Sequence, residues 1–441
     1  MKNNDLHHII RFTIPIALET LFTQLIAMIV PALVGGISTS ALAAVGLVNQ
    51  TVAMYSAVFA LMSTGGAVLL ARAIGSGDRV DSSRIAEQNI LLTLLAGLLM
   101  GGISLAASVP IMHLLMPASS AEMFAEGLLY FRMMMISFPA LTMQTVSSAL
   151  LRAAGDSRNP MTGTVVLNLV QAAFAALLIR LLDMGLVGAG LSYVIARYIG
   201  ALFMGLMLLR HRRGFAVNMR NLFRPHLPTW ARMVKVGVPN SLESTLVQAG
   251  YLIANIMITG LGTHEATVYQ VTNTLYGFAS YPQAICAPIL ISFVGQALGA
   301  GNVPKAKKTL MGIYTAGMIV SFVLSLAISL CVTPLSGIYT DSADVIADCR
   351  IAIWYMFAMC IPAMSINGMD PGLRTGGDSK WIMLYTIFGV WAIRVPLTYL
   401  FCYRMSMGVP GLFLANIISL VFRALCSQFR FHTGKWLHIN I

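Results

Sequence analysis

Apolar residues in this chain run in long unbroken blocks, without the alternating or one-faced patterns of a soluble core. Blocks of about twenty or more such residues recur from end to end, and each is long enough to cross a bilayer as a helix. Twelve spans are predicted, at 12–36, 42–71, 89–113, 125–150, 160–182, 187–209, 235–260, 267–297, 309–334, 346–370, 381–402 and 408–428. Several exceed the minimal length and must tilt or protrude from the hydrocarbon. A β-barrel is disfavoured, because its strands would alternate polar and apolar positions. The first run shows no small-residue cleavage site, so it reads as the first span and not as a leader.

A second pattern lies over the first. "PIALETLFTQ" (Pro15 to Gln24) returns as "PNSLESTLVQ" (Pro239 to Gln248), with Pro, Leu, Glu and Gln in register at an offset of 224 residues. The register holds without a gap from Pro15–Asp78 to Pro239–Asn302, pairing Gly36 with Gly260, Asn49 with Asn273 and Gly77 with Gly301. Further on, "LRAAGDSR" (Leu151 to Arg158) returns as "LRTGGDSK" (Leu373 to Lys380), offset by 222. The chain is therefore a duplication of a six-span unit. Six is even, so both halves enter the membrane in the same direction. Such parallel repeats are related by a pseudo-two-fold axis along the membrane normal, and substrate sites lie where they meet. The expected fold is an all-α membrane protein with twelve transmembrane helices in two pseudo-two-fold-related six-helix lobes. The first lobe is expected over residues 1–210, a connector over 211–230 and the second lobe over 231–441.

Composition agrees. Hydrophobic residues make up 57% of the chain and charged residues 10%, where a soluble protein carries roughly a quarter charged residues. The net charge of +12 could suggest nucleic acid, but its distribution gives a simpler account. Alternate loops are basic: Arg72, Arg79 and Arg84, then Arg152 and Arg158, the 210–235 segment, Lys305, Lys307 and Lys308, then Lys380, Arg423 and Arg430. The opposite loops carry Glu122, Asp183, Glu265, Asp344 and Asp348. By the positive-inside rule both termini and the connector are cytoplasmic, and no nucleic-acid partner is needed. The six cysteines all lie in the second half without Cys-x-x-Cys spacing, which suits apolar packing better than a disulfide framework.

Candidate chemistry lies in the polar residues within spans. Glu19 and Glu243 each follow a proline by four residues, about a turn or two into a span. An acid at a span centre costs about 2.5–3.5 kcal/mol, so two symmetric copies call for a partner or a wet surface. Their bland reading is helix–helix hydrogen bonding; the functional one is a carboxylate that takes up and releases an ion. Gln24 and Gln248 lie about 140° further round their helices, as interhelical hydrogen-bonders or cavity residues. Asn49, Asn168, Gln171, Asn255, Asn273 and Asn367 are uncharged polar groups that could together line a cavity. Arg197 and Arg394 sit mid-span and are expected to face the interior against carboxylates or carbonyls. Asp370 and Arg374 read as an ion pair at the end of span 10. "IGSGD" and "LGAGN" lack the strand and the Lys-Ser/Thr of a phosphate loop and read as tight turns. Neither catalytic triads nor metal-ligand spacings are found, so no enzyme and no bound cofactor are expected.

These features together resemble the multidrug and toxic compound extrusion (MATE) family. The likeness rests on "GISTSALAAVGLVNQ", "ARAIGSGD", "LRAAGDSRNP", "VYQVTNTLYGFASYP", "VGQALGAGN" and "RVPLTYLF", in that order along nearly the whole chain. The resemblance implies a V-shaped pair of six-helix lobes that exports diverse, often cationic drugs in exchange for Na⁺ or H⁺. The chain departs from the family at the coupling residues. It reads Val30-Pro31-Ala32 where many members read Val-Asp-Thr, and Asn168 to Ala172 loses the acid of a family Asn-x-x-Leu-Asp run. Val247 and Ala363 fall near two further family acids. Glu19 and Glu243 are the remaining acids well inside spans, and become the expected coupling pair. The expected cavity residues are Gln24, Asn49, Asn168, Gln171, Gln248, Asn255, Asn273 and Arg394. The expected function is export of small, often cationic amphipathic compounds in antiport with H⁺ or Na⁺, by a monomer in the cell membrane. The rival is a flippase-like exporter of a lipid-linked or larger metabolite, which would show extra spans or a strongly cationic cleft; twelve spans with few membrane arginines count against it.

Overall fold

The computed structural model describes residues 3–35, 39–115, 121–340 and 342–438, without side chains at 3–6, 24–35, 39–44, 50, 53, 57–62, 121–123 and 438. All regular structure among the described residues is helical. The helical runs follow the twelve expected spans. Spans 1 and 2 are Asn3–Gly35 and Thr39–Gly75. Span 3 is Arg79–Ala106 continued by Ser108–Leu115, and span 4 is Ala121–Ile136 followed by Phe138–Ala153, bent by 45° near Pro139. Span 5 runs over Arg158–Ala175 and a π-helical end at Ala176–Leu181, and span 6 over Gly185–Arg210. Span 7 is Leu227–Thr259, and span 8 is Thr263–Ala279 followed by Tyr281–Gly299. Span 9 is Val303–Leu330 with Val332–Ser336, and span 10 is Ala343–Thr375. Span 11 extends over Ser379–Arg404 with two π-helical stretches, and span 12 over Gly408–Thr433. Among the described residues eight helices are long and apolar enough to cross a membrane unaided, and the bent span 4 makes a ninth.

Two compact units divide at Gly237/Val238, the first beginning at Asn4 and the second ending at Ile441. Each holds its own buried core. That of the first gathers Val48 of span 2, Met112 of span 3, Phe131 and Phe138 of span 4 and Ala189 of span 6. That of the second gathers Ile258, Leu275, Met356, Val409 and Phe413 from spans 7, 8, 10 and 12. Large apolar side chains point outward as well: Leu99, Ile103, Leu202 and Phe429 are each about two-thirds exposed. On a soluble protein that much apolar surface would be an interaction site; on a spanning helix it is the face that meets lipid.

The connector packs within the first unit. Gln88 of span 3 donates to the Arg224 carbonyl and accepts from the His226 N–H, both at 2.8 Å. Glu87 accepts from the Asn218 N–H at 2.8 Å, and Arg232 reaches Asp81 at 3.3 Å. The two repeated glycine turns fold as expected. Gly77 and Gly301 take positive φ (78° and 71°), a conformation that favours glycine. The next residue in each copy, Asp78 or Asn302, caps the following helix by accepting from backbone N–H groups.

Candidate functional site

Both repeated glutamates meet a repeated arginine. In the first unit Glu19 of span 1 lies 2.6 Å from Arg152 at the end of span 4, and Thr164 of span 5 donates to the same carboxylate oxygen at 2.8 Å. In the second unit Glu243 of span 7 lies 2.9 Å from Arg374 at the end of span 10, and Arg374 also donates to the Asn240 side chain. Each arginine sits in the last turn of its helix, just before the turn made by Gly155 (φ 83°) or Gly377 (φ 94°). A cation there complements the helix dipole and stays available to a neighbouring helix. Glu19 and Glu243 are 8% and 6% exposed, so each carboxylate is buried and held by a charge of opposite sign.

The expected pairing of Arg374 with Asp370 gives way to this arrangement. Asp370 accepts instead from the hydroxyls of Tyr385 in span 11 and Ser427 in span 12. Arg374 and Asp370 share one helix, but Arg374 turns toward span 7 and Asp370 toward spans 11 and 12. Tyr385 and Ser427 have no charge or motif to mark them, and sequence reasoning passed over both.

Among the described residues, the other predicted polar side chains of the first unit share no hydrogen bond with one another. The Asn49 side chain accepts from the Tyr130 hydroxyl at 3.3 Å. Asn168 is buried and its amide nitrogen has no partner among the described residues, while Gln171 is half-buried. Arg197 donates to the Gln144 amide oxygen at 2.8 Å and lies 4.7 Å from the Tyr193 ring centre, so an amide and a ring take the place of a carboxylate. The Gln24 side chain and the Val30-Pro31-Ala32 segment lie outside the described side chains.

In the second unit four of the predicted residues share one cavity. A space of about 540 Å³ is lined by Gln248, Asn255, Asn273 and Arg394, together with Asn367. Val247 and Ala363, near the places of two family acids, also line it, and sequence reasoning did not anticipate others such as Tyr251, Tyr269, Tyr276, Gln283, Asn416 and Arg423. Gln248 is exposed on this wall and makes no hydrogen bond to another helix among the described residues. Local backbone geometry positions the two arginines. Pro396 has no N–H to offer the Ala392 carbonyl, and the helix widens into π turns over Phe388–Arg394 immediately before it. Arg394 ends that stretch, 2% exposed, with its guanidinium 3.9 Å from the Tyr251 ring centre. Gly389 in the same stretch leaves room for the Arg423 methylenes; a Cβ there would come within 2.7 Å of Cγ. A wider space of about 750 Å³ shares Asn255 and Tyr269 with the first and extends to Thr263 and Tyr339. Among the described residues no group of His, Cys, Asp and Glu is arranged to hold a metal ion.

A sequence profile of the MatE family matches residues 15–177 and again residues 239–400, most of the chain in two copies. The chain belongs to this family. Its members are transporters, not enzymes. Among relatives, the probable multidrug resistance protein NorM of Thermotoga maritima is 24% identical over 97% of this chain and 92% of its own length. Multidrug and toxin extrusion protein 1 of Oryctolagus cuniculus is 24% identical over 66% of this chain and 51% of its own. Solved structures share the fold. A MATE family transporter of the MOP superfamily in an outward-facing conformation superposes with a TM-score of 0.85 at 20% identity, covering 98% of this chain and 96% of its own. A MOP superfamily transporter from Pyrococcus furiosus, titled for the reverse polarity of its binding pocket, gives 0.87 at 20% identity with the same coverage. The matched fold has twelve transmembrane helices in two lobes, as the repeat predicted, and the MatE chain is a multi-pass membrane protein.

Proposed function

We propose that this MatE chain exports small amphipathic organic compounds from the cytoplasm by alternating access, in antiport with H⁺ or Na⁺. The observation that carries the reading is the polar-and-aromatic cavity enclosed among the spans of the second unit. About 540 Å³ falls in the range that holds a drug-sized ligand, and the multidrug names of the relatives support a broad cargo. One charge moved across 100 mV supplies about 2.3 kcal/mol, enough for roughly fifty-fold accumulation. Both termini and the connector face the cytoplasm in this proposal.

The proposed coupling sites are Glu19 and Glu243. Each is held by an arginine, so a proton or Na⁺ arriving at the carboxylate must loosen that ion pair. Release of Arg152 or Arg374 is then the local event that biases the unit. The test is dye movement in proteoliposomes with H⁺ and Na⁺ gradients imposed separately. A Glu19→Gln, Glu243→Gln double variant that remains monodisperse is expected to lose both ion-driven dye movement and dye-driven ion movement. Undiminished counter-flow in that variant would remove both residues from the mechanism.

A second reading is favoured by one observation. The cavity presents Arg394 and Arg423, as a flippase-like exporter of a lipid-linked or larger anionic metabolite would need. Translocation of a labelled lipid phosphate, with no dye movement under either gradient, would select that reading.

A further inference from the structure

The cavity of the second unit carries two positive charges and no negative one. Arg394 and Arg423 are both on its wall, and no Asp or Glu is. The described acids of this unit are engaged elsewhere or remote. Glu243 holds Arg374, Glu265 accepts from the Val409 N–H, Asp348 meets His264, Asp370 holds two hydroxyls and Asp378 meets Arg430. Asp344 is exposed in the first turn of span 10. Neither cavity arginine therefore has a carboxylate partner among the described residues. Both Nε atoms are buried without a hydrogen-bond acceptor, as is the amide nitrogen of Gln283 on the same wall.

Burying an unpaired guanidinium among spans is costly unless a counter-charge or water meets it. The contact of Arg394 with the Tyr251 ring offsets part of that cost. Among the described residues it leaves the buried Nε, on the edge where a planar anion binds best, without an acceptor. The same wall also carries aromatic and apolar side chains, among them Tyr276, Met356 and Met359. We infer that the second-unit cavity binds an amphipathic organic anion, its carboxylate on Arg394 and Arg423 and its ring system against Tyr251 and Tyr276. As a cargo site this rests on the exporter reading above, but as a binding site it does not. It reverses the charge preference that the family resemblance implies for the cargo.

The test uses the full chain in nanodiscs and a size-matched pair of fluorescent probes, anthracene-9-carboxylate and 9-anthracenemethylammonium, titrated by fluorescence anisotropy. The carboxylate is expected to bind and the ammonium to bind at least tenfold more weakly. Arg423→Gln and Arg394→Gln are each expected to weaken carboxylate binding about ten- to a hundredfold, the loss of one charge-assisted hydrogen bond. Arg423→Lys is expected to recover part of it. Because Arg394→Gln could misfold, the half-buried Arg423 variants carry the test alone if needed. Carboxylate affinity unchanged in Arg423→Gln, or tighter binding of the ammonium probe, overturns the inference. Carboxylate binding that needs the arginines, without transport in proteoliposomes, upholds the site and counts against the exporter reading. Ion-driven export of cationic dyes, without carboxylate binding, does the reverse.

Discussion

Arg374 donates to Glu243 across 2.9 Å, and the residues at the matching repeat positions, Arg152 and Glu19, meet at 2.6 Å. The same long-range ion pair is thus built twice. In the first unit Thr164 supplies a further hydrogen bond to the glutamate. Its repeat counterpart Thr386 is buried without a partner, and Asn240 joins from span 7 instead. The pair survived duplication while its surroundings diverged, which suits a requirement placed on the pair itself.

Breaking one partner leaves a buried charge, so Arg374→Gln is expected to destabilise the second unit by about 3–5 kcal/mol. Adding Glu243→Gln removes the orphaned charge, and the double variant is expected to regain most of the loss. Unfolding in mixed micelles for the four members of the cycle measures this. Additive losses would show that the two residues do not support each other.

Much of this was legible in the sequence. The spans follow from unbroken apolar runs, and the duplication from two motifs in register. The glycine turns follow from the positive φ that Gly77 and Gly301 supply. The ion pairs had a usable signal: an acid and a base that each return in both halves must find each other inside each half. That signal was outweighed by proximity along span 10, which favoured Asp370 for Arg374. The cavity was half legible. Asn255, Asn273, Gln248 and Arg394 stand out as polar residues in apolar runs, but Arg423 read as one more cytoplasmic charge. Its place depends on Gly389 and on π turns that sequence periodicity does not reveal.

His264, ahead of the apolar run over 267–297, meets Asp348 in the second turn of span 10 at 2.8 Å. The hydrogen bond to Asp348 raises the His264 pKa above its ordinary 6.5. A raised histidine pKa contributes stability that is complete below the unfolded value and fades as pH rises through the folded one. Melting temperature is therefore expected to fall slightly as pH rises above 6.5, and His264→Gln to flatten that slope. An unaltered slope in the variant would assign it to another group. Both side chains are about half exposed, so high salt is expected to weaken the effect.

Asp370 is buried, and one carboxylate oxygen accepts from both Tyr385 and Ser427. Removing a donor strands part of a buried acceptor, so Tyr385→Phe is expected to cost about 1–3 kcal/mol. Ser427→Ala in the Tyr385→Phe background is expected to cost more than in the wild type, because it takes away the last of the two donors. Equal costs in both backgrounds would show that the two hydroxyls act independently.

Gly250 of span 7 lets span 11 come close: a Cβ at this position would lie 2.4 Å from Val390 Cγ1. Val390 belongs to the π-helical stretch that ends at Arg394, so a displacement of Val390 is expected to reach the arginine. Gly250→Ala is expected to cost about 1–3 kcal/mol through overpacking. It should also weaken anthracene-9-carboxylate binding, by pushing the stretch and its guanidinium away from span 7. Val390→Ala in the same chain removes the obstructing methyls and is expected to restore both stability and affinity. Stability restored without affinity would place the control of Arg394 in the Pro396 kink and not in the contact between Gly250 and Val390.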